Sequence, residues 1–151
     1  MQYEDFGKNF IERTQKNLEE YQGEYDVTSL INNCLGLIII PKQSFTDNLP
    51  NLNINEYSSI YHIGKDENKI EDTSAPIDSN RFSLKNIVRH IRNAISHGRI
   101  EEKVENEKII GVRLYDKKND TSEENFSIEM TIEEFKSFSL AISNDFLNGN
   151  T

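Results

Sequence analysis

An arginine, an asparagine and a histidine lie close together at residues 92–97, and these residue types suit cleavage of an RNA phosphodiester. A histidine near its ordinary pKa exchanges protons around neutral pH, and His97 would take or give the proton. Arg92 would hold the phosphate in a bidentate fork and stabilise the charge that grows on its oxygens. Asn93 would orient His97 or bind a phosphate oxygen. RNA supplies its own nucleophile, the 2′-hydroxyl, so this chemistry needs no metal and no other cofactor, and DNA would bind without reacting.

The charge distribution supports a small anion-binding site rather than a long cationic track. The whole chain has a formal net charge of -9, which argues against a nonspecific nucleic-acid coat. Residues 79–100 contain no Asp or Glu, while the rest of the chain has 12 basic and 26 acidic residues. The five basic residues of the acid-free stretch are Arg81, Lys85, Arg89, Arg92 and Arg99.

These residues belong to a predicted helix over about residues 83–97, with Gly98 as a left-handed C-terminal cap. At about 100° per residue, the apolar side chains cluster within about 60° and form the core face. The polar groups are predicted to point away from it. They are the candidate catalytic residues Arg92, Asn93 and His97 and the candidate phosphate-binding residues Arg89, His90 and Ser96, with Arg99 added just beyond the helix. Because Arg92 and His97 are five residues apart, they make an awkward pair within one chain.

The apolar periodicity predicts two earlier helices, over about residues 5–22 and 26–40. A loop-rich insertion over about 42–80 follows, with one short element at 54–63. A small β-hairpin is predicted over about 108–130 because two apolar runs flank a polar turn.

A last helix is predicted to begin at a capping box formed by Thr131 and Glu134. The residues at 101–107 are mostly acidic and are interpreted as a solvated connection. We therefore expect a single domain over residues 1–151. Its fold class would be mainly α, a bundle of four to five helices with one hairpin before the last.

Several other classes of protein are disfavoured by the sequence. No run approaches the roughly 18 apolar residues that a membrane span needs, and the first residues do not resemble a secretory signal. Cys34 is the only cysteine, and three histidines without cysteines do not predict a zinc site. We expect a cytoplasmic protein that binds no membrane and no metal.

The motif Arg92-Asn93-Ala94-Ile95-Ser96-His97 resembles the Arg-Asn-x-x-x-His signature of the HEPN superfamily (higher eukaryotes and prokaryotes nucleotide-binding domains). Residues 10–18, 26–32 and 36–42 are similar to the first two helices of a bacterial subgroup of HEPN proteins from plasmids and genomes. The resemblance covers about half of the chain. It does not cover residues 43–80 or the hairpin.

This resemblance implies a helical domain that forms a homodimer and brings two copies of the motif together in one cleft. Arg92 and His97 would be the catalytic pair of a ribonuclease, with Asn93 as the polar helper. Related proteins act in toxin–antitoxin, abortive-infection or CRISPR-linked defence, which implies an RNA substrate and an antitoxin or regulatory protein as partner. Two alternatives stay open: a non-catalytic module that binds nucleotide, RNA or protein through the same groove, and a purely structural dimerisation domain.

Overall fold

A computed structural model describes residues 3–20, 27–39, 53, 61–74 and 82–147. These residues form four α-helices and four β-strands. The helices are α1 (Tyr3–Glu20), α2 (Val27–Ile39), α3 (Leu84–Ser96) and α4 (Ile132–Leu147). The strands are β1 (Glu71–Asp72), β2 (Ile100–Glu105), β3 (Lys108–Lys117) and β4 (Glu124–Thr131).

The four strands form one antiparallel sheet in the order β1-β4-β3-β2. The predicted fold class, a mainly α bundle with a small hairpin, is therefore wrong. The two strands of the predicted hairpin do pair, with Leu114 opposite Ile128, but they form the centre of a larger sheet. The solvated connection expected at 101–107 is strand β2 and a tight turn, in which Asn106 and Glu107 both have positive φ.

The loop-rich region at 42–80 also contributes to the sheet, since β1 pairs with β4 there. Asn68 fixes the preceding turn against β4: its side-chain amide accepts from Gly64 N at 2.7 Å and donates to the carbonyl of Glu129 at 2.9 Å. Most of the short element expected at 54–63 lies outside the described residues, and so do the predicted ends of the first two helices at about 22 and 40.

Helix α3 is in contact with both α2 and β3, and α4 packs on the sheet as well, against β3 and β4. The core beneath it is formed by apolar side chains from all of these layers. They include Ile11, Leu37, Leu84, Ile87, Ile91, Leu114, Ile128, Phe135 and Phe138. Cys34 packs in this core as an apolar group, and burial raises the pKa of its thiol to about 11. Among the described residues, no helix has both the length and the apolar character needed to cross a membrane.

The capping box predicted at the start of α4 is confirmed. Thr131 N donates to the Glu134 carboxylate at 2.8 Å, and Glu134 N donates to Thr131 Oγ1 at 3.1 Å. Because Thr131 is also the last residue of β4, the box joins the sheet directly to the last helix.

Candidate functional site

The helix that carries the Arg-Asn-x-x-x-His motif has a defined beginning and end. Ser83 caps its N-terminus by accepting from Asn86 N at 3.2 Å. At the other end Gly98 adopts φ of 68°, as predicted, and Arg99 N donates to the carbonyl of Ala94 at 2.8 Å. This reversal leaves His97 as the C-cap residue directly after α3 and turns the chain into β2.

The three candidate catalytic residues lie at this end of α3 but have different surroundings. Arg92 is half-buried, and its Nη1 donates to the carbonyl of Ile38, in α2, at 3.2 Å. Asn93 is exposed, and its Nδ2 donates to Asp116 Oδ2 at 3.3 Å. His97 is exposed, and its imidazole forms no hydrogen bond or ion pair with any of the residues that the structure describes. No hydrogen bond joins Arg92 to His97 within the described part of the chain, in keeping with their spacing of five.

Two of the candidate phosphate-binding residues are accessible. Arg89 is exposed, with its Nη2 donating to Asn86 Oδ1 at 2.5 Å, and Ser96 is exposed beside the motif. Both could contact an anion at the motif without a change in the fold.

The other two candidates, His90 and Arg99, are buried, with exposed fractions of 3% and 8%. The expectation that His90 points away from the core is wrong, because the sheet covers this side of α3. Both ring nitrogens of His90 have partners, Nδ1 at 2.8 Å from Asp116 and Nε2 at 2.9 Å from Ser74 Oγ. The ring also stacks on Phe126, with 4.5 Å between centroids. His90 therefore has no ring nitrogen left for a phosphate in this arrangement.

Asp116, on β3, is a site residue that the sequence pattern did not predict. Its carboxylate is buried and accepts four hydrogen bonds: Oδ2 from His90 and Asn93, and Oδ1 from Arg99 Nη1 at 3.2 Å and Lys117 N at 2.8 Å. We call Asp116, His90 and Arg99 the Asp116 cluster. A buried carboxylate is stable only when charged or hydrogen-bonding partners surround it, as they do here.

The cluster continues toward β1 through Ser74. Ser74 Oγ donates to Asp72 Oδ1 at 2.6 Å, and Asp72 Oδ2 accepts from Asn86 Nδ2 at 2.8 Å. The sheet and α3 are thus joined at two points, one near the start of the helix and one near the motif.

A family model described as HEPN pEK499 p136 matches residues 1–151 of this chain. The chain belongs to this HEPN family. The resemblance inferred from the motif and the first two helices is confirmed, and it extends over the segments that the motif did not cover. Neither the curated proteins nor the solved structures contain a match to the chain.

Folding changes the charge that this HEPN motif presents to solvent. Arg99 is neutralised by Asp116 and by Asp120, whose Oδ1 lies 2.8 Å from Arg99 Nη2. Among the described arginines of residues 82–99, Arg89 is exposed, Arg92 is half-buried and Arg99 is buried. Residues 79–100 contain no acidic residue, but folding brings Asp116 of β3 and Asp120 of the following turn next to Arg99.

Proposed function

We propose that this HEPN protein is a metal-independent endoribonuclease with Arg92, Asn93 and His97 as its catalytic groups. The observation that carries the proposal is the exposure of His97 at the end of α3. A proton-transfer group must reach the substrate, and the His97 ring is accessible and has no partner among the described residues. His90, seven residues earlier, is enclosed.

In the proposed reaction His97 takes the proton from a 2′-hydroxyl, and the 2′-oxygen bonds to the adjacent phosphorus. The bond from phosphorus to the 5′-oxygen breaks, and that oxygen takes a proton from a general acid. The products are a 2′,3′-cyclic phosphate and a 5′-hydroxyl. The guanidinium of Arg92 stabilises the negative charge on the phosphate oxygens, and Arg89 and Ser96 lie close enough to the motif to help bind it.

We propose that the complete site is shared by two copies of the chain. Arg92 donates to α2 while His97 lies at the helix end, so one copy does not pair them. A homodimer with adjacent α3 helices would supply a second His97 as general acid. Mixing wild-type with His97→Ala chains tests this, because a site that needs His97 from both copies is lost in every mixed dimer. Cleavage should then fall with the square of the wild-type fraction, and a fall in simple proportion to that fraction would show that the shared site is wrong.

The catalytic proposal is tested with a labelled RNA and the matching DNA, incubated with the protein in EDTA. We expect cleavage of RNA only, with Arg92→Ala and His97→Ala each lowering kcat/KM by about 100-fold or more. Two exposed residues away from the motif provide matched controls, Arg13→Ala and His62→Asn, which should leave cleavage unchanged. Equal cleavage by wild type and both motif variants contradicts the proposal.

A toxin or defence role would follow if induction of the wild type degraded cellular RNA and stopped growth, while His97→Ala did neither. Unchanged growth and intact RNA on induction, both without and with phage infection as the trigger, would remove that role.

A second candidate is a non-catalytic binding module. The contact between Arg92 and the carbonyl of Ile38 favours it, because a guanidinium held by α2 is not paired with His97 for catalysis, while its remaining N–H donors can still bind a phosphate. In that case RNA binding depends on Arg89 and Arg92 and weakens with salt, but no product forms.

A further inference from the structure

We propose that Asp116 is a positioning residue for the HEPN motif: it turns the amide of Asn93 so that Asn93 presents a hydrogen-bond acceptor, Oδ1, to the site. This inference rests on the proposed ribonuclease function. It assigns a role to a residue outside the motif, on a strand of the sheet.

The chemistry of the contact fixes which end of the amide faces Asp116. An ionised carboxylate only accepts hydrogen bonds, so the group of Asn93 that faces Asp116 Oδ2, 3.3 Å away, is the Nδ2 amide. The oxygen and the nitrogen of an amide diverge from the same planar carbon, so they cannot both face one partner. The carbonyl Oδ1 of Asn93 must therefore face away from Asp116, on the exposed side of the helix.

Asp116 is held firmly enough to impose this orientation. His90 donates to its Oδ2 at 2.8 Å, and Arg99 Nη1 and Lys117 N donate to its Oδ1 at 3.2 and 2.8 Å. The His90 ring is itself fixed by Ser74 and by stacking on Phe126. A buried acceptor with this many donors has little freedom to rotate.

Asn93 in turn connects Asp116 to the end of the motif. Its backbone carbonyl accepts from His97 N at 3.0 Å, so the same residue touches Asp116 with its side chain and His97 with its backbone. An outward Oδ1 is suited to accept from the ring N–H of His97 or from a 2′-hydroxyl. It is not suited to bind a phosphate oxygen, which is itself an acceptor.

The role of Asp116 is tested by exchanging the two side chains. Asp116→Asn and Asn93→Asp should each lower kcat for RNA cleavage by about 10- to 100-fold, with a smaller change in KM, because the acceptor is misplaced rather than substrate binding lost. The double variant Asp116→Asn/Asn93→Asp reverses the hydrogen bond and still presents an oxygen to the site. We expect it to be more active than either single variant. Glu124→Gln, an acidic residue on the adjacent strand, is the control and should leave kcat unchanged.

The exchange distinguishes positioning from a general loss of stability, since a structural role predicts that the double variant is at least as impaired as the worse single variant. That result, or an unchanged kcat in Asp116→Asn, overturns the proposal. If Asp116→Asn does not fold, the proposal is tested with Asn93→Asp instead, because Asn93 is exposed and its substitution should not prevent folding. Its activity relative to wild type should rise as the pH falls, because protonation of one of the two facing carboxyls restores a hydrogen bond. An Asn93→Asp variant as active as wild type at every pH overturns the proposal.

A readout that needs no cleavage separates this inference from the proposed function. The side-chain amide resonances of Asn93, assigned by their loss in Asn93→Ala, should shift in Asp116→Asn but not in Glu124→Gln. If wild type cleaves no RNA, the ribonuclease proposal fails while this shift still supports the orientation of Asn93. Unshifted resonances overturn the orientation whatever the activity.

Discussion

The exposed end of α3 and the Asp116 cluster are built from the same helix, yet they have opposite physical characters. His97 is exposed and without a partner among the described residues, whereas His90 is 3% exposed with partners on both ring nitrogens. A histidine available for proton transfer needs the first environment, and a histidine that holds a sheet against a helix needs the second. The same residue type therefore lies in two different environments within eight residues, and the sheet determines which histidine is enclosed.

The largest expected effect lies at the exposed end. His97→Ala should lower the rate of RNA cleavage by about 100-fold or more while leaving the free energy of unfolding within about 0.5 kcal/mol of wild type. The reason is that an exposed side chain without partners adds little to stability. Cleavage rates and urea unfolding, measured on the same preparation, check the expected loss of activity and the expected unchanged stability. A large loss of stability in His97→Ala would break the contrast with His90.

The Asp116 cluster should show the reverse pattern in stability. Asp116→Ala leaves Arg99 and His90 without their shared acceptor in a buried place, so we expect the free energy of unfolding to fall by about 3 kcal/mol. Urea unfolding followed by circular dichroism measures it. Asp120→Ala, which removes the 95% exposed partner of Arg99, is the matched control and should cost less than about 1 kcal/mol. Equal losses in the two variants would show that burial is not what makes the cluster stabilising.

Gly98 lies between exposed His97 and buried Arg99, and replacing it should have an intermediate effect. A side-chain methyl group at this position would meet no atom within 4 Å beyond its chain neighbours, so Gly98→Ala adds strain only through the left-handed backbone. We expect a loss of about 1 kcal/mol, and a smaller one in Gly98→Asn because asparagine tolerates this conformation. A thermal melt of the three proteins checks the order. A loss in Gly98→Asn as large as in Gly98→Ala would contradict the assignment to backbone strain.

The smallest effect is expected from the ion pairs on the sheet surface. The hydrogen bond from Lys103, followed by that from Lys69, lowers the pKa of Glu129 below its ordinary value of 4.5. A lowered pKa in the folded state means that the stabilisation is present above that ordinary value and is lost as the pH falls through the lowered pKa. We expect less than about 1 kcal/mol, because both lysines are exposed to solvent. The difference in stability between wild type and Glu129→Gln should therefore shrink on acidification; a constant difference would be the contrary result.

The features predictable from sequence are those with a local physical signal. Helix α3, its glycine cap and the capping box of α4 follow from periodicity and from residues with defined backbone preferences. The motif itself is also local, since Arg92, Asn93 and His97 lie within six residues of one another.

The features that the sequence does not predict depend on contacts between distant segments. Strand β2 is exposed at all but its first residue and is paired with β3 through its backbone, so it lacks the apolar alternation that identifies a strand. β1 is only two residues long, too short to have a period. A helical wheel places His90 on the exposed side because a wheel with one core face cannot represent a helix covered on two sides.

Asp116 does carry a signal in the sequence. Val112, Leu114 and Asp116 are spaced two residues apart and lie on the same, buried face of β3, so the alternation of buried and less buried residues continues through Asp116. Its acidic side chain instead suggests the polar turn that follows. The alternation along the strand is therefore more informative about Asp116 than its acidic character is. A carboxylate at a position of the buried face marks the Asp116 cluster, which contacts the motif through Asn93.

The most direct test of the catalytic site is an analysis of the ends of the products formed from a labelled RNA in EDTA. We predict that wild type produces fragments with a 2′,3′-cyclic phosphate and a 5′-hydroxyl, and that His97→Ala produces almost none. Intact RNA after incubation with wild type, or the same fragments at the same rate from His97→Ala, would contradict the claim that the exposed end of α3 is a catalytic site.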